Sequence, residues 1–312
     1  MDLDRTPDRL RAWLDRFVGE RHLGASPRRH ATTADLVGET FVAAGLEVTE
    51  QPVQGPFGTG RNIIGRRPGV GRPGVAARTW IVGAHYDTIR GTPGADDNGV
   101  AVAALLEAAQ WLGRQRTRDT IELVAWDFEE LQTLTSGIAL GSSAMAREAK
   151  RSGREIGGVF DLEMIGCCRA EAGSQRFPPG FGLLFPQITD WVRERDGRGD
   201  FLAVVTNPAS SSLAEALAAS AEIVRLPLIA IPVHGVARLI PDFYRSDHAS
   251  FWRCGYPAVM VTDSADFRNE HYHRASDTLD TLDFDFAARV LATVLATVGR
   301  LAGDPDAPDR GP

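Results

Sequence analysis

The middle of the chain alternates short apolar segments of strand length with longer apolar segments of helical length. Strands are predicted at Thr79–Ala84, Thr120–Trp126 and Gly157–Ile165, with helices at Gly99–Gly113 and Ile138–Lys150 between them. Buried strands joined by helical crossovers form parallel sheets that are covered on both faces. The pattern therefore predicts an α/β fold: a single globular domain whose central mixed, mostly parallel sheet is flanked by helices on both faces.

The segments on either side extend the same layers. Apolar residues have helical spacing in residues 6–20 and Thr33–Ala44, and Glu47–Val53 and Arg61–Arg66 alternate like strands. Further predicted strands are Phe181–Phe185, Phe201–Val205 and Ala258–Thr262, and further predicted helices are Ile188–Arg195, Leu213–Ala221 and Phe286–Ala302. No change in composition divides the chain, so we expect one domain over residues 1–302. The Pro/Asp-rich residues 303–312 are expected to form a disordered tail.

The charge balance excludes several classes of partner. The 312 residues carry a formal net charge of -7, so the chain lacks the basic surface of a nucleic-acid-binding protein. No apolar stretch reaches the roughly 18 residues of a membrane span, and the N-terminal residues lack the apolar core of a secretory signal. The 3 cysteines, two of them adjacent, make a poor disulfide framework. We expect a cytoplasmic protein with no nucleic-acid or membrane partner; the sequence carries no signal for its oligomeric state.

Acids and imidazoles cluster where the predicted strands end. In open α/β sheets, ligands bind beyond the carboxyl ends of the strands. Taken singly, most of these residues have an ordinary explanation as helix caps or solvated loops. Glu163 is harder to explain, since its apolar neighbours place a carboxylate in the core. The residues concerned are His85, Asp87, Asp96, Asp97, Asp127, Glu129, Glu130, Asp161, Glu163, His271 and His273.

Histidines and carboxylates without clustered cysteines are typical of a catalytic zinc site and not of a structural one. A carboxylate that bridges two metals, with two further ligands on each, places the ions about 3.5–4 Å apart. The start of a helix, as at Asp97, supplies a rigid and exposed carboxylate for such a bridge.

Six motifs of the chain resemble, in order, those of the zinc aminopeptidases of peptidase family M28. They are GAHYDT, PGADDNGVA, WDFEE, LEMIG, YRSDHASFW and YHRASDT, and the resemblance extends from about Thr33 to Ala302. It implies two zinc ions and a peptide or aminoacyl substrate whose N-terminal peptide bond is hydrolysed.

The resemblance also implies a role for each matching residue. The implied metal ligands are His85, Asp97 as the bridge, Glu130, Glu163 and His273, and the implied catalytic residues are Glu129, Asp87 and Tyr244. Glu129 would act as general base, and Asp87 would fix the tautomer of His85. Tyr244 would polarise the scissile carbonyl, the alternative being a tyrosine packed at the base of its loop. The peptide bond after Asp97 is expected to be cis.

Two features depart from the family pattern. Glu163 stands where the best-known members often have Asp, and the loop LQTLTSGIAL after Glu130 is longer than in compact members and is expected to form part of the pocket wall. His271 has the wrong offset to be a ligand, and Asp247 and His248 are expected to support the site without binding metal.

Other functions remain open at this level. A glutaminyl cyclase is a related single-zinc fold that shares the HYD and EE motifs, although Tyr272 stands where such an enzyme is expected to have Trp. An inactive scaffold on the same fold, or a hydrolase of another amide, is also compatible with the motifs.

Overall fold

The structure is a computed structural model that describes residues 2–71, 78–130 and 140–304. Its strands are β1 (Glu47–Gly55), β2 (Gly58–Arg67), β3 (Thr79–His85), β4 (Thr120–Trp126), β5 (Ile156–Glu163), β6 (Leu202–Thr206), β7 (Leu228–Pro232) and β8 (Ala258–Thr262). Its α-helices are α1 (Thr6–Asp15), α2 (Pro27–Ala43), α3 (Val100–Leu112), α4 (Leu140–Arg151), α5 (Phe181–Leu184), α6 (Pro186–Glu194), α7 (Ser211–Ile223), α8 (His248–Cys254) and α9 (Phe284–Ala302).

All of these strands belong to one 8-stranded sheet in the order β1-β2-β4-β3-β5-β8-β6-β7. The four central neighbours β4, β3, β5 and β8 run parallel to one another. Antiparallel pairs flank them, with β1 and β2 on one side and β6 against β8 on the other. The predicted single α/β domain with a mixed, mostly parallel sheet is confirmed.

Helices cover both faces of the sheet, because successive strand residues point to opposite faces and are apolar on both. On one face, side chains such as Val82 and Leu123 pack in a large cluster with helices α1, α2, α3, α7 and α9. On the other face, Ile81 and Val124 pack against α4 and α8. Strands β3 and β4 are buried along their whole length, so their ends are where polar groups meet solvent.

One predicted strand is wrong, and two elements escape the sequence pattern. Phe181–Phe185 contains helix α5, because Phe181 and Phe185 bury one helical face while Leu183 between them is 88% exposed. A short apolar run does not distinguish a strand from one turn of helix. Strand β7 and helix α8 were not predicted.

Three other expectations have no structural test. Residues 131–139 of the long loop and residues 305–312 of the tail lie outside the described residues, and the domain boundaries stay predictions. Within the described ranges, no helix is both long enough and apolar enough to cross a membrane. The cytoplasmic location therefore also stays a prediction.

The buried helix α3 gives a test of the core. Leu105 on α3 is fully buried, so Leu105→Ala should lower the free energy of unfolding by about 2–5 kcal/mol. Ile223 is 77% exposed, so Ile223→Ala should change it by less than about 0.5 kcal/mol. Urea denaturation of the two variants measures both values, and equal losses would show that the core is assigned wrongly.

Candidate metal centre

The polar residues meet at the carboxyl ends of the four central parallel strands. His85 is the last residue of β3, and Glu163 is the last residue of β5. Glu129 and Glu130 follow β4 after two further residues, and His273 lies in the segment that follows β8. Because these strands are neighbours and run in the same direction, their ends bring the side chains together.

One group of possible ligands surrounds His85 and is called the first ligand set. The Nε2 atom of His85 lies 3.4 Å from Oδ1 of Asp97 and 3.5 Å from Oε2 of Glu163. All three side chains offer one atom each within 4.8 Å of one another. His85, Asp97 and Glu163 are therefore placed to hold a single ion.

A second ligand set lies on the other side of the same aspartate. The Nε2 atom of His273 is 3.1 Å from Oδ2 of Asp97 and 3.3 Å from Oε2 of Glu130. Asp97 thus presents one carboxylate oxygen to each set. This is the geometry of a bridging carboxylate between two ions.

The spacing of these atoms fits zinc. Two ligands that each lie about 2.0–2.1 Å from a tetrahedral ion stand roughly 3.3 Å apart. The observed separations of 3.1–3.5 Å match that edge. In addition, Nε2 of His85, Nε2 of His273 and Oε1 of Glu130 are buried without a hydrogen-bond partner, which is costly unless a cation satisfies them. The nitrogen and oxygen donors present fit two zinc ions.

Asp87 links the ligands of both sets. Its carboxylate accepts hydrogen bonds from the backbone N–H groups of Glu129 and Glu130, at 3.1 Å each. Its backbone carbonyl lies 3.2 Å from Nδ1 of His85, closer than its carboxylate at 3.5 Å. An Nδ1–H that donates to this carbonyl leaves the Nε2 lone pair directed at the ligand set. The tautomer of His85 is thus fixed chiefly by the main chain of Asp87.

The backbone of the ligand segments adopts an uncommon conformation. Phe128, immediately before Glu129, has a φ of 57°, and Met164, immediately after Glu163, has a φ of 51°. His273 itself has a φ of 57°. Such left-handed residues other than glycine cost about 1–3 kcal/mol each and cluster at functional sites. The surrounding contacts must therefore hold these ligands in place.

The segment that carries Asp97 is held from several directions. The Asp97–Asn98 peptide bond is cis, as the resemblance predicts. The side chain of Asn98 donates to the carbonyl of Leu162 at 2.7 Å and accepts from the N–H of Met164 at 3.0 Å, which ties this segment to the end of β5. The carboxylate of Asp277 accepts from the N–H of Asp97 at 3.2 Å.

Arg21 supports the same segment from behind, and no motif in the sequence pointed to it. Its fully buried guanidinium donates to the carbonyl oxygens of Gly19, Tyr86, Pro93 and Gly94 at 2.7–3.0 Å. Three of these carbonyls, those of Tyr86, Pro93 and Gly94, lie in the chain between the candidate ligands His85 and Asp97. Arg21 thus fixes the chain between them, and places a positive charge behind the carboxylates.

The close contact of acids and imidazoles shifts the pKa of each group. Burial and, after it, the charge of Asp97 raise the pKa of Glu130 to about 8. Burial would lower the pKa of His273, but Asp97 and Glu130 together raise it to about 10. Burial also raises the pKa of Glu129 well above its usual value. Against the effect of burial, the two imidazoles hold the pKa of Asp97 below its usual value.

A pocket opens over the ligands. Glu129 lines it together with Tyr272 and Arg245, two residues to which the sequence assigned no catalytic role. The Tyr272 ring stacks on His273 with 3.7 Å between ring centroids, and Arg245 donates to the Tyr272 hydroxyl at 2.8 Å. The position of Tyr272 next to His273 in the sequence is the one signal that could have identified it.

Tyr244 occupies a different place from the one predicted. Its ring packs edge-on against Trp252 at 5.7 Å, and Tyr244 is absent from the described residues that line the pocket over the ligands. The tyrosine at the pocket is Tyr272. The structure thus gives Tyr244 the packing role that was the alternative, and its catalytic role stays a prediction without geometric support.

His271, His248 and the segment around Asp247 have identifiable contacts near the ligand sets. His271 lies outside both ligand sets, with Nδ1 3.0 Å from the Ser276 hydroxyl. The backbone N–H of His248 donates to Asp161 at 2.9 Å. The Ser246 hydroxyl lies 2.6 Å from Oε2 of Glu163, so the segment around Asp247 supports the first ligand set.

Comparison with known proteins identifies the family of the chain. The sequence model of peptidase family M28 matches residues 62–298, and the chain belongs to this family. An uncharacterized protein of Escherichia coli K12, YfbL, is 33% identical over 276 residues, which span 84% of this chain and 78% of YfbL. A probable leucine aminopeptidase 1 of Trichophyton verrucosum is 29% identical over 74% of this chain, a match that spans only 56% of that protein.

Solved structures show the same fold at low sequence identity. The LapA aminopeptidase of Legionella pneumophila superimposes with a TM-score of 0.71 and 19% identity, over 97% of this chain and 74% of that chain. A glutaminyl cyclase of Porphyromonas gingivalis superimposes with a TM-score of 0.67 and 22% identity, over 97% of this chain and 99% of that chain. The fold is therefore shared by peptidases and cyclases.

The pKa shifts predict how the metal-free protein responds to pH. Folded Glu130 keeps a proton up to about pH 8 that the unfolded chain releases near 4.5, and folded His273 keeps one up to about pH 10 that the unfolded chain releases near 6.5. Because the folded state binds more protons in this window, stability falls as pH rises. The melting temperature of metal-free protein should therefore decrease from about pH 6 to pH 9.

Zinc should reverse this trend, since its ligands must be deprotonated to bind. The increase in melting temperature that zinc causes should grow over the same pH range. His273→Gln should reduce the pH dependence of the metal-free protein, whereas His271→Gln should retain it. A metal-free melting temperature that stays constant or rises from pH 6 to pH 9 would contradict the assigned contacts.

Proposed function

We propose that this protein is a di-zinc aminopeptidase that hydrolyses N-terminal peptide bonds of peptide or aminoacyl substrates. The observation that carries the proposal is the position of Asp97, which offers one oxygen to His85 and Glu163 and the other to Glu130 and His273. The M28 membership and the leucine aminopeptidase relative support the same activity.

Zinc bound at these ligands would supply a Lewis acid that activates water and the scissile carbonyl at neutral pH. Glu129 is 3% exposed and lines the pocket, and in this proposal it would take the proton of the attacking water and later deliver it to the leaving amine. Its raised pKa suits a group that must both accept and donate a proton. Tyr272 lines the same pocket, and its hydroxyl would stabilise the developing oxyanion.

The acidic lining of the pocket also favours a free α-amine. Glu129 lines the pocket beside the ligands Asp97, Glu130 and Glu163, and the free α-amine of the substrate would contact an acidic residue or a metal there. A second, apolar cavity adjoins this pocket and is called the side cavity; Met260, Val205, Ile231 and Phe181 are among its walls. It would accept the side chain of the first substrate residue and so favours apolar N-terminal residues.

The role of Glu129 as general base can be tested without disturbing the metals. Glu129→Gln should lower kcat by about 100-fold to 10,000-fold, because the amide cannot accept the proton of water. The variant should keep the zinc content of the wild type. Hydrolysis of leucine 4-nitroanilide and metal analysis of the same preparations give both values.

Glu215→Gln is the matched control for this change, since Glu215 is an exposed residue on α7. It should leave both kcat and zinc content unchanged. Activity of Glu129→Gln near that of the wild type would exclude Glu129 as the base, and loss of zinc from the variant would instead make Glu129 a ligand.

The alternative is a glutaminyl cyclase, and the superposition with the Porphyromonas gingivalis enzyme over nearly the full length of both chains favours it. A cyclase would convert a peptide with N-terminal glutamine to its pyroglutamyl form and release ammonia, without cleaving the peptide. Mass spectrometry of such a peptide after incubation distinguishes the two: loss of ammonia supports the cyclase, and release of glutamine supports the aminopeptidase. Absence of both, with leucine 4-nitroanilide also intact, would support an inactive scaffold.

A further inference from the structure

The side cavity is continuous with the pocket over the ligands. Glu163, Arg245 and Tyr272 line both spaces, so a substrate bound at the metal centre can extend from one into the other. The volume of the side cavity, its open mouth included, is about 830 Å³. The depth of the side cavity therefore bears on the length of substrate side chain that the site can bind.

The strand register shows how far the side cavity extends. Glu163 at the end of β5 pairs with Thr262 of β8, Thr262 pairs with Ala203 of β6, and Ala203 pairs with Ile229 of β7. All four residues line the side cavity. They form a single row across four adjacent strands, which starts at a metal ligand and ends at the last strand of the sheet.

This row is longer than a standard side chain. Neighbouring strands are about 4.8 Å apart, so three intervals span roughly 14 Å. With carbon–carbon bonds of about 1.5 Å, a zigzag chain advances roughly 1.3 Å per carbon and needs about 11 carbons to cover that distance. A phenylalanine side chain reaches only about 5 Å from its Cα to its farthest carbon by the same bond lengths.

Two small residues in the middle of the row, Thr262 and Ala203, leave room for a ligand. The larger residues Met260, Val205 and Ile231 lie on the same face of the sheet, two positions away along each strand. Five wall residues, Thr262, Ala203, Met260, Val205 and Ile229, are only 1–8% exposed, so the inner part of the side cavity is shielded from water. A long, mostly apolar space of this kind fits an extended apolar chain, because the burial of each methylene group is favourable.

We propose that the side cavity binds a straight apolar chain that runs along the row from Glu163 to Ile229. The preferred substrates are then amides of 2-amino acids whose unbranched side chains are longer than those of leucine or phenylalanine. This inference rests on the proposed aminopeptidase function, because the metal centre sets where the acyl group of the substrate begins.

A series of 2-aminoacyl 4-nitroanilides with unbranched side chains of one to ten carbons tests the length of the site. The value of kcat/KM should rise about fourfold per added methylene while each is buried, and the rise should continue past the length of leucine. A maximum at norleucine, leucine or phenylalanine would overturn the proposal.

Ala203 provides a variant that shortens the row at its third position. In Ala203→Phe, the ratio of kcat/KM for the ten-carbon to the four-carbon substrate should fall by more than tenfold. Ala230 is exposed and, by strand alternation, faces away from the side cavity between Ile229 and Ile231. Ala230→Phe is therefore the matched control and should keep the wild-type ratio; an equal ratio in both variants would contradict the assigned path.

A binding measurement separates failure of this inference from failure of the proposed function. If no substrate of any length is cleaved, the aminopeptidase proposal fails, and the thermal shift caused by free 2-aminododecanoic acid still tests the side cavity. The melting temperature should rise in the wild type and in Ala230→Phe but not in Ala203→Phe. No shift in the wild type, or the same shift in all three proteins, would overturn the assignment.

Discussion

The repulsion among buried carboxylates at one edge of the sheet is the constraint on which the site depends. Four carboxylates lie almost wholly shielded from water, and cations must offset the repulsion between their charges. They belong to Asp97, Glu129, Glu130 and Glu163. In the absence of metal, burial raises the pKa values of Glu129, Glu130 and Glu163, and the charges of neighbouring carboxylates raise them further. Two zinc ions would relieve this repulsion and would bind the buried nitrogens that have no hydrogen-bond partner.

The fold provides the contacts that keep the ligands together against this repulsion. The parallel order β4-β3-β5-β8 places four strand ends side by side, and each end supplies or precedes a ligand. Hydrogen bonds to the main chain then fix the ligand segments. The Asp87 carboxylate accepts from the N–H groups of Glu129 and Glu130, and the Asp277 carboxylate accepts from the N–H of Asp97. Arg21 ties down the connection between His85 and Asp97. The same sheet continues to β7, which gives the substrate site its apolar extension.

The sequence predicts the central sheet well, because the sheet depends on local pattern. Apolar segments of strand length gave β4 and β8 their correct bounds. The strand ends and the resembling motifs also selected His85, Glu130 and the other candidate ligands, which the structure brings close together. Tertiary contacts decided the rest. Whether Phe181–Phe185 is a strand or a helix depends on which side chains find a partner, and the guanidinium of Arg21 acts on residues far along the chain. The choice of Tyr272 over Tyr244 at the pocket likewise depends on how the loops fold back.

The central claim is that Asp97 bridges two zinc ions, and anomalous scattering at the zinc absorption edge from crystals grown with zinc tests it most directly. The account predicts two peaks about 3.5–4 Å apart, one on each side of the Asp97 carboxylate. One peak should contact His85 and Glu163, and the other Glu130 and His273. A single peak, or two peaks that do not share Asp97, would contradict it.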